Sequence, residues 1–488
     1  MNATATLDAE RWSKRVFSGG WTGAAGGAIA VREPATGIAL GEVGQADATD
    51  IAHAAMRAKA AQADWAAHPL AERAPVFRKA AQFIERNADE IKEWIVRETG
   101  SVPAKAAVEV KVTLGELYEA AAMVVQPRGL ILPSEPNVTS LARRVPHGVV
   151  GVISPFNFPM ILSIRAVAPA LAVGNAVVLK PDPQTPVSGG MILARAFEEA
   201  GLPEGVLHVL PGGPEAGDAL VRDPNIAMIA FTGSTSVGRR IGAAAGELLK
   251  KVSLELGGKN SLIILDDADL DLAVSNTAWG AFLHQGQICM ATGRVLVPAS
   301  MAKAFIERLA EKADHLPVGD PFRAQVALGP LINDRQVARV KEIVEASVAS
   351  GAGLRAGGTA EGRFFRPTVL DEVGPGMRAF EEEIFGPVAP VTVYHDEDEA
   401  VRLANMTDYG LSAGIITGSS ARGLELAARL RTGLVHVNDQ TVADEPWAPF
   451  GGTGASGNGS RHGGPANWDE FTQWQWLTMK HAAPLYPF

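Results

Sequence analysis

The sequence predicts an α/β protein built on a doubly wound parallel sheet, and three observations carry that prediction. Short β-branched apolar runs at 149–153, 176–180, 206–210, 228–232 and 252–254 alternate with helical patterns such as 187–200, which closes on Gly201 and Pro203. These runs carry no polar face, as strands do when buried on both sides, and helices between parallel strands imply right-handed crossovers. After Gly257-Gly258 a second series begins, with strands at 262–265, 294–297, 389–394, 412–417 and 434–438 and helices at 301–313 and 335–349. A second α/β domain is the simplest reading. A length of 488 residues with 47% apolar and 20% charged residues suits two or three domains of a globular protein.

Ahead of the first sheet, 50–125 is a helical layer with Val76, Phe77, Ala80, Phe83 and Ile84, then Ile91, Trp94 and Ile95, at helical spacing. It shows no chemistry, and its charges read as solvated faces. The period stops between 128 and 146, where 137–145 is extended and bounded by Pro133, Pro136 and Pro146; 471–479 alternates in the same manner. Two strands that fit neither domain predict a small protruding sheet whose free edge invites another subunit. The glycine-rich run 451–464 reads as a surface loop.

Several function classes are excluded. With a net charge of -10 and no basic block beyond pairs such as Arg143-Arg144, nucleic acid is not expected as a partner. No apolar stretch reaches the ~20 residues of a membrane helix, and Met1 to Thr6 shows no targeting signal, so a cytoplasmic protein is expected. One cysteine in the whole chain forms no internal disulfide, and without Cys-x-x-Cys or His-x-x-x-His spacing no metal site is expected.

That cysteine, Cys289 in Gly286-Gln287-Ile288-Cys289, is a nucleophile or inert filler. Ligands of doubly wound sheets sit beyond the carboxyl ends of the strands, so the loops after Ile153, Lys180, Leu210 and Thr232 face one crevice. Gly233-Ser234-Thr235-Ser236-Val237-Gly238 joins a strand to a helix and offers backbone N–H groups to a phosphate, although a tight turn alone would also need its glycines. Asn157 follows one strand end, Lys180 closes the next, and Glu255 precedes Gly257-Gly258. Singly these read as a turn former, an exposed strand end and half of an ion pair. Together with a thiol they suit attack on a carbonyl: an amide for the oxyanion, a carboxylate for water, and a lysine for a nucleotide.

The motifs Ser154-Pro155-Phe156-Asn157-Phe158-Pro159, Phe231-Thr232-Gly233-Ser234-Thr235, Leu254-Glu255-Leu256-Gly257-Gly258-Lys259, Gly286-Gln287-Ile288-Cys289, Glu382-Glu383-Ile384-Phe385-Gly386-Pro387 and Pro449-Phe450-Gly451-Gly452 occur in this order. On them the chain resembles the NAD(P)-dependent aldehyde dehydrogenases over nearly its whole length. The resemblance implies a Rossmann-like NAD-binding domain at 1–127 and 147–254, a catalytic domain at 255–465, and an oligomerisation arm at 128–146 and 466–488 that builds homodimers or homotetramers. It also implies Cys289 as nucleophile, Glu255 as general base and Asn157 as oxyanion donor. The implied cofactor contacts are Ile153, Ser154, Pro155, Phe156, Lys180, Gly213, Phe231, Gly233, Ser234, Val237, Leu256, Gly257, Glu383 and Phe385, with Lys180 and Glu383 on ribose and Ser234 on the diphosphate. Relatives that pass the acyl group to coenzyme A lack the glutamate, so Glu255 favours hydrolysis.

NAD-selective relatives carry a glutamate three residues after the lysine, where Pro183 stands here beside Asp182. The missing glutamate removes a guard against NADP, but 180–190 offers no second cation to bind a 2′-phosphate, so NAD is expected as the main cofactor, with some use of NADP. The forms Phe282-Leu283-His284-Gln285, Lys180-Pro181-Asp182-Pro183 and Asn438-Asp439-Gln440-Thr441 resemble the branch that oxidises benzaldehyde-type aldehydes. Phe158, Ile161, Leu162, Leu283, His284 and Met290 would then wall the substrate pocket, with Trp447 at its mouth. Alternatives are aliphatic or semialdehyde substrates, a cysteine hydrolase that pairs Cys289 with His284, or a non-catalytic binding protein.

Overall fold

The computed structural model describes residues 7–488; residues 1–6, on which the reading of no targeting signal rests, lie outside the described residues. The first sheet has seven strands, in the order Lys251–Glu255, Met228–Thr232, Val149–Ile153, Ala176–Lys180, Leu207–Val209, Arg15–Ser18, Trp21–Gly23. The strands from Lys251–Glu255 to Leu207–Val209 are parallel, and Arg15–Ser18 joins them antiparallel. Every residue of Val149–Ile153 and Ala176–Lys180 is buried. Alternate side chains divide between two cores: Val150, Val152, Val177 and Leu179 pack with Phe77, Leu171 and Phe197, whereas Val149, Ile153 and Val178 pack with Ile51, Ala54 and Leu220. Helix layers therefore cover both faces. Strand order reverses at Val149–Ile153, which lies between Ala176–Lys180 and Met228–Thr232, so a crevice opens at the ends of these three strands.

The second sheet also has seven strands, in the order Gly353–Ala356, Thr368–Asp371, Val388–Tyr394, Thr292–Pro298, Asn260–Ile264, Ser412–Ile416, Leu434–Val437. Gly353–Ala356 alone runs antiparallel to its neighbour. The first two strands are absent from the sequence expectation, being short and, in Gly353–Ala356, partly exposed at an edge. Near the start of the chain, Arg15–Ser18, Trp21–Gly23 and the hairpin of Ala28–Arg32 with Ala39–Gly44 were likewise not expected.

Thr472–Lys480 pairs antiparallel with Val138–Pro146 from Thr472↔Pro146 to Lys480↔Val138, and Gly129–Ile131 adds an unforeseen third strand. Trp474, Trp476, Leu477, Met479, Leu130 and Ile131 are exposed on this arm. The expected helix 187–200 begins as a wide π-turn, Val187–Met191, and becomes α-helical over Ile192–Glu199. Buried Glu98 accepts the Val187 and Ser188 N–H groups there at 2.8 and 2.7 Å. The run 451–464 corrects the expectation of a surface loop. Gly451, Gly452, Gly457 and Gly463 are buried, and Ser456 O accepts from Leu256 N at 2.9 Å, so this segment lies against Glu255. Its glycines admit close backbone approach rather than mobility: a side chain at Gly451 would meet Glu255 Oε1 at 2.8 Å.

Candidate active site

Three strand ends and two helix starts meet at the crevice. Gly233 and Ser234 connect Met228–Thr232 to the helix Thr235–Glu247, whose first turn receives no side-chain cap, so its N–H groups stay available to an anion. Gly213 leads into the helix Pro214–Arg222 in the same uncapped way. Between them, buried Lys180 donates from Nζ to Gly212 O at 2.8 Å and stretches its stem along Gly217. Ile153, Ser154, Phe231 and Leu256 are buried and Pro155, Phe156 and Val237 half-buried around the same strand ends. Phe385 adopts a left-handed backbone, φ 57°, and meets Phe156 edge to face at 6.0 Å. Glu383 accepts from Gly258 N at 3.0 Å, and burial pushes its carboxyl up to about 7. Gly257 lacks the side chain that would collide with Glu383. Free amides at a helix start, a lysine and a carboxylate form a donor and acceptor set that fits a dinucleotide.

Cys289 comes from the second domain's irregular backbone. It follows the turn Leu283–Gly286, where His284 and Gln285 have φ of 47° and 55°, unusual for residues with side chains. The turn is fastened from outside. Gln285 Nε2 donates to Gly100 O and Pro330 O at 2.8 and 2.9 Å, and Gln287 Oε1 accepts from Ile332 N at 3.0 Å. On the far side Asn260 Nδ2 donates to Cys289 O and Ala291 O, and Thr441 Oγ1 to Met290 O. Asn157 reaches across from the first domain, its Nδ2 donating to Gln287 O at 2.8 Å, and keeps its second amide hydrogen for another acceptor.

The thiol of Cys289 is half-buried and free. Burial, then the nearby Glu383 carboxylate, push it up to about 12, while Arg165 draws it down. Glu255 is buried with both carboxylate oxygens lacking hydrogen-bond partners. Its carboxyl stands well above the usual range, chiefly because burial disfavours the charge, with Arg165 and Arg461 opposing. The site at rest thus holds a neutral thiol beside an unbonded carboxyl of high proton affinity.

The aldehyde dehydrogenase family model matches residues 21–477. The chain belongs to that family. It is 57% identical over 483 residues to a vanillin dehydrogenase of an Amycolatopsis species, covering 99% of both chains, and 51% identical to a benzaldehyde dehydrogenase [NAD(+)] of Pseudomonas putida, covering 98% of each. Among solved structures it superposes on a salicylaldehyde dehydrogenase of Pseudomonas putida G7 complexed with salicylaldehyde, with TM-score 0.94, 35% identity and coverage of 97% and 99%. It superposes equally on a betaine aldehyde dehydrogenase of Staphylococcus aureus in complex with NAD+, with TM-score 0.95, 28% identity and coverage of 98% and 97%.

In this aldehyde dehydrogenase the expected pocket residues fall into two groups. Phe158 and Leu283 pack in the small cluster of Ile288, Cys289, Met290 and Phe450, whereas Ile161 is buried on the first turn of the helix Pro159–Ala172 and Leu162 half-buried beside it. Trp447 is 60% exposed, outside the cluster. His284 packs edge-on against Phe158 at 5.5 Å and makes no hydrogen bond to Cys289. Burial holds its pKa well below the usual value. Among the described residues no group of acids, histidines and cysteine could hold a metal, and no helix is long and apolar enough to cross a membrane.

Sequence reasoning missed several residues here. Glu109 accepts from Met160 N at 2.8 Å and pairs with buried Lys105, whose Nζ lies 4.3 Å from the Phe158 ring centre. Both sit on the helix Pro103–Met123, where a Lys/Glu pair at i, i+4 looks like a solvated face. Arg165, on an otherwise apolar helix, gave no signal in the sequence, yet its charge acts on both Glu255 and Cys289.

Proposed function

We propose that this chain oxidises aromatic aldehydes to carboxylic acids with NAD, using Cys289 as nucleophile, Asn157 as oxyanion donor and Glu255 as general base. The observation that carries the proposal is the meeting of a free thiol, a half-used amide and an unbonded buried carboxyl at the mouth of a crevice suited to a dinucleotide. Family membership and the aryl-aldehyde relatives support the reaction and the substrate class.

Ser154, Lys180, Ser234, Glu383 and Phe385 would hold the cofactor, with Ile153, Pro155, Phe156, Gly213, Phe231, Gly233, Val237, Leu256 and Gly257 shaping its bed. The chemistry supplied by bound NAD is a two-electron sink for the substrate carbon and, in the oxidised form, a positive charge that favours the thiolate. Cys289, after its proton passes to solvent, attacks the aldehyde carbon as the thiolate, and the oxygen that gains charge is met by the second Nδ2 hydrogen of Asn157 and the Cys289 backbone N–H. At the thioester stage, ionised Glu255 takes a proton from water as it adds to the acyl carbon, releasing the acid and restoring the thiol. Burial suits Glu255 to that step because it raises the proton affinity of the base.

Pro183 stands where a glutamate would repel a 2′-phosphate, so NADP serves as a secondary cofactor. The arm of Thr472–Lys480 joins copies into homodimers or homotetramers, which its exposed tryptophans support. The division into cofactor, catalytic and arm segments at 127, 146, 254 and 465 belongs to the same proposal. A cytoplasmic location does too, since the sole thiol must stay reduced to act.

The test is a panel of aldehydes with NAD and NADP, repeated with Cys289→Ala. Benzaldehyde-type substrates are expected to exceed acetaldehyde by about 100-fold in kcat/KM, or ~2.7 kcal/mol of transition-state preference. Comparable values would remove the aromatic assignment, and a tenfold preference for NADP would overturn the cofactor assignment.

A further inference from the structure

Arg165 lies on the helix Pro159–Ala172 that follows Asn157, and is only 5% exposed. Its guanidinium stacks over the ring of Phe450 at 4.4 Å, and Phe450 packs with Ile288, Met290 and Cys289. The buried cation is therefore separated from the Cys289 cluster by a single ring. Its partners are few. Asp444 makes a charge contact with Nη2, and Glu116, itself buried, is 3.8 Å from Nε, too far for a hydrogen bond. Nη2 meets Asp444, but neither Nε nor Nη1 makes a hydrogen bond among the described residues, although a guanidinium has five N–H donors. A buried cation that leaves donors unused is destabilising and needs an explanation.

We infer that Arg165, flanked by Glu116 and Asp444, is the specificity-determining group that selects aldehydes carrying a hydroxyl on the aromatic ring. This rests on the aryl-aldehyde reading above. The hydroxyl oxygen accepts from the guanidinium, and a flanking carboxylate accepts the hydroxyl proton, so one ring substituent satisfies both sides of the cluster. Burial raises Glu116 to about 7, which lets that carboxyl donate as well as accept near neutral pH. Phe158, Phe450 and Met290 supply apolar surface that grips a ring without sensing its substituents. A site that hydrogen-bonds a hydroxyl discriminates against the analogue lacking it, because its own buried groups are then left unpaired.

The experiment measures kcat/KM of the full-length enzyme with NAD for benzaldehyde, 3-hydroxybenzaldehyde and 4-hydroxybenzaldehyde, in wild type, Arg165→Met and Asp444→Asn. In Arg165→Met the ratio of the better hydroxylated substrate to benzaldehyde is expected to fall at least tenfold, and in Asp444→Asn by a smaller factor. Should Arg165→Met fail to fold, Asp444→Asn carries the same comparison. A wild type active on all three whose ratio stays fixed in the folded variants, including a parallel loss on every substrate, overturns this inference alone. A wild type inactive on all three overturns the aryl-aldehyde reading and this inference with it.

Discussion

In the first sheet, Ile153, Lys180 and Thr232 stand at the ends of parallel strands, and the amides between Thr232 and Thr235 belong to a regular strand-to-helix turn. In the second sheet no strand end bears the chemistry. Cys289 sits on a loop between the helix Leu270–Phe282 and the strand Thr292–Pro298, behind two residues in the left-handed region. Such conformations cost on the order of 1–3 kcal/mol each and persist only where neighbours over-determine them. Here Gly100, Pro330, Ile332, Asn260 and Thr441 supply that restraint. Glu255 and the lysine of the cofactor site thus stand at regular strand ends while the nucleophile is carried by irregular structure, so damage to the two regions should differ in kind.

The largest expected effect lies on the thiol side: Cys289→Ala should lower kcat for aldehyde oxidation by roughly 10⁴-fold or more, as removing a covalent nucleophile does elsewhere. Measured NAD affinity should stay within about threefold, because no strand end moves. Glu255→Gln should lower steady-state kcat by roughly 10²–10⁴-fold while a rapid first turnover of NADH survives, since the base acts after the thiol is acylated. Loss of that first turnover in stopped-flow mixing would assign Glu255 to an earlier step. Asn157→Ala should cost about 10²–10³-fold in kcat, the range of a lost oxyanion donor. On the cofactor side, Lys180→Met should raise the KM for NAD by about tenfold, or ~1.4 kcal/mol, with a smaller change in kcat. If kcat fell as far as in Asn157→Ala, the separation of binding from bond-making would fail.

A pH experiment sharpens the same contrast. Because burial and Glu383 raise the Cys289 thiol to about 12, the thiolate fraction in the enzyme without cofactor grows about tenfold per pH unit throughout the stable range. Iodoacetamide labelling should therefore climb from pH 6 to 10 without a plateau. A plateau below pH 8 would mean that the resting thiol is already ionised.

The two regions were also unequally legible in the sequence. Alternation of buried strands with helices exposed the core of both sheets, and the motifs around Asn157, Glu255 and Cys289 singled out residues that the fold brings to one crevice. What escaped notice depends on distant contacts. Glycines at 451–464 look alike whether they make a free loop or let a backbone lie against Glu255, and only packing tells them apart. Gln285 and Asn260 hold the thiol loop through bonds to Gly100 and Ala291, a pairing that no local period encodes. Short edge strands such as Gly353–Ala356 lack the apolar run that makes a strand visible.

The most direct measurement is intact-protein and peptide mass spectrometry of Glu255→Gln after mixing with benzaldehyde and NAD. The expected result is one benzoyl group per chain on the peptide that contains Cys289, absent when Cys289 is also replaced by alanine. Turnover of benzaldehyde by this variant with the acyl group on another residue, or an unmodified Cys289 during the first turnover, would contradict the account.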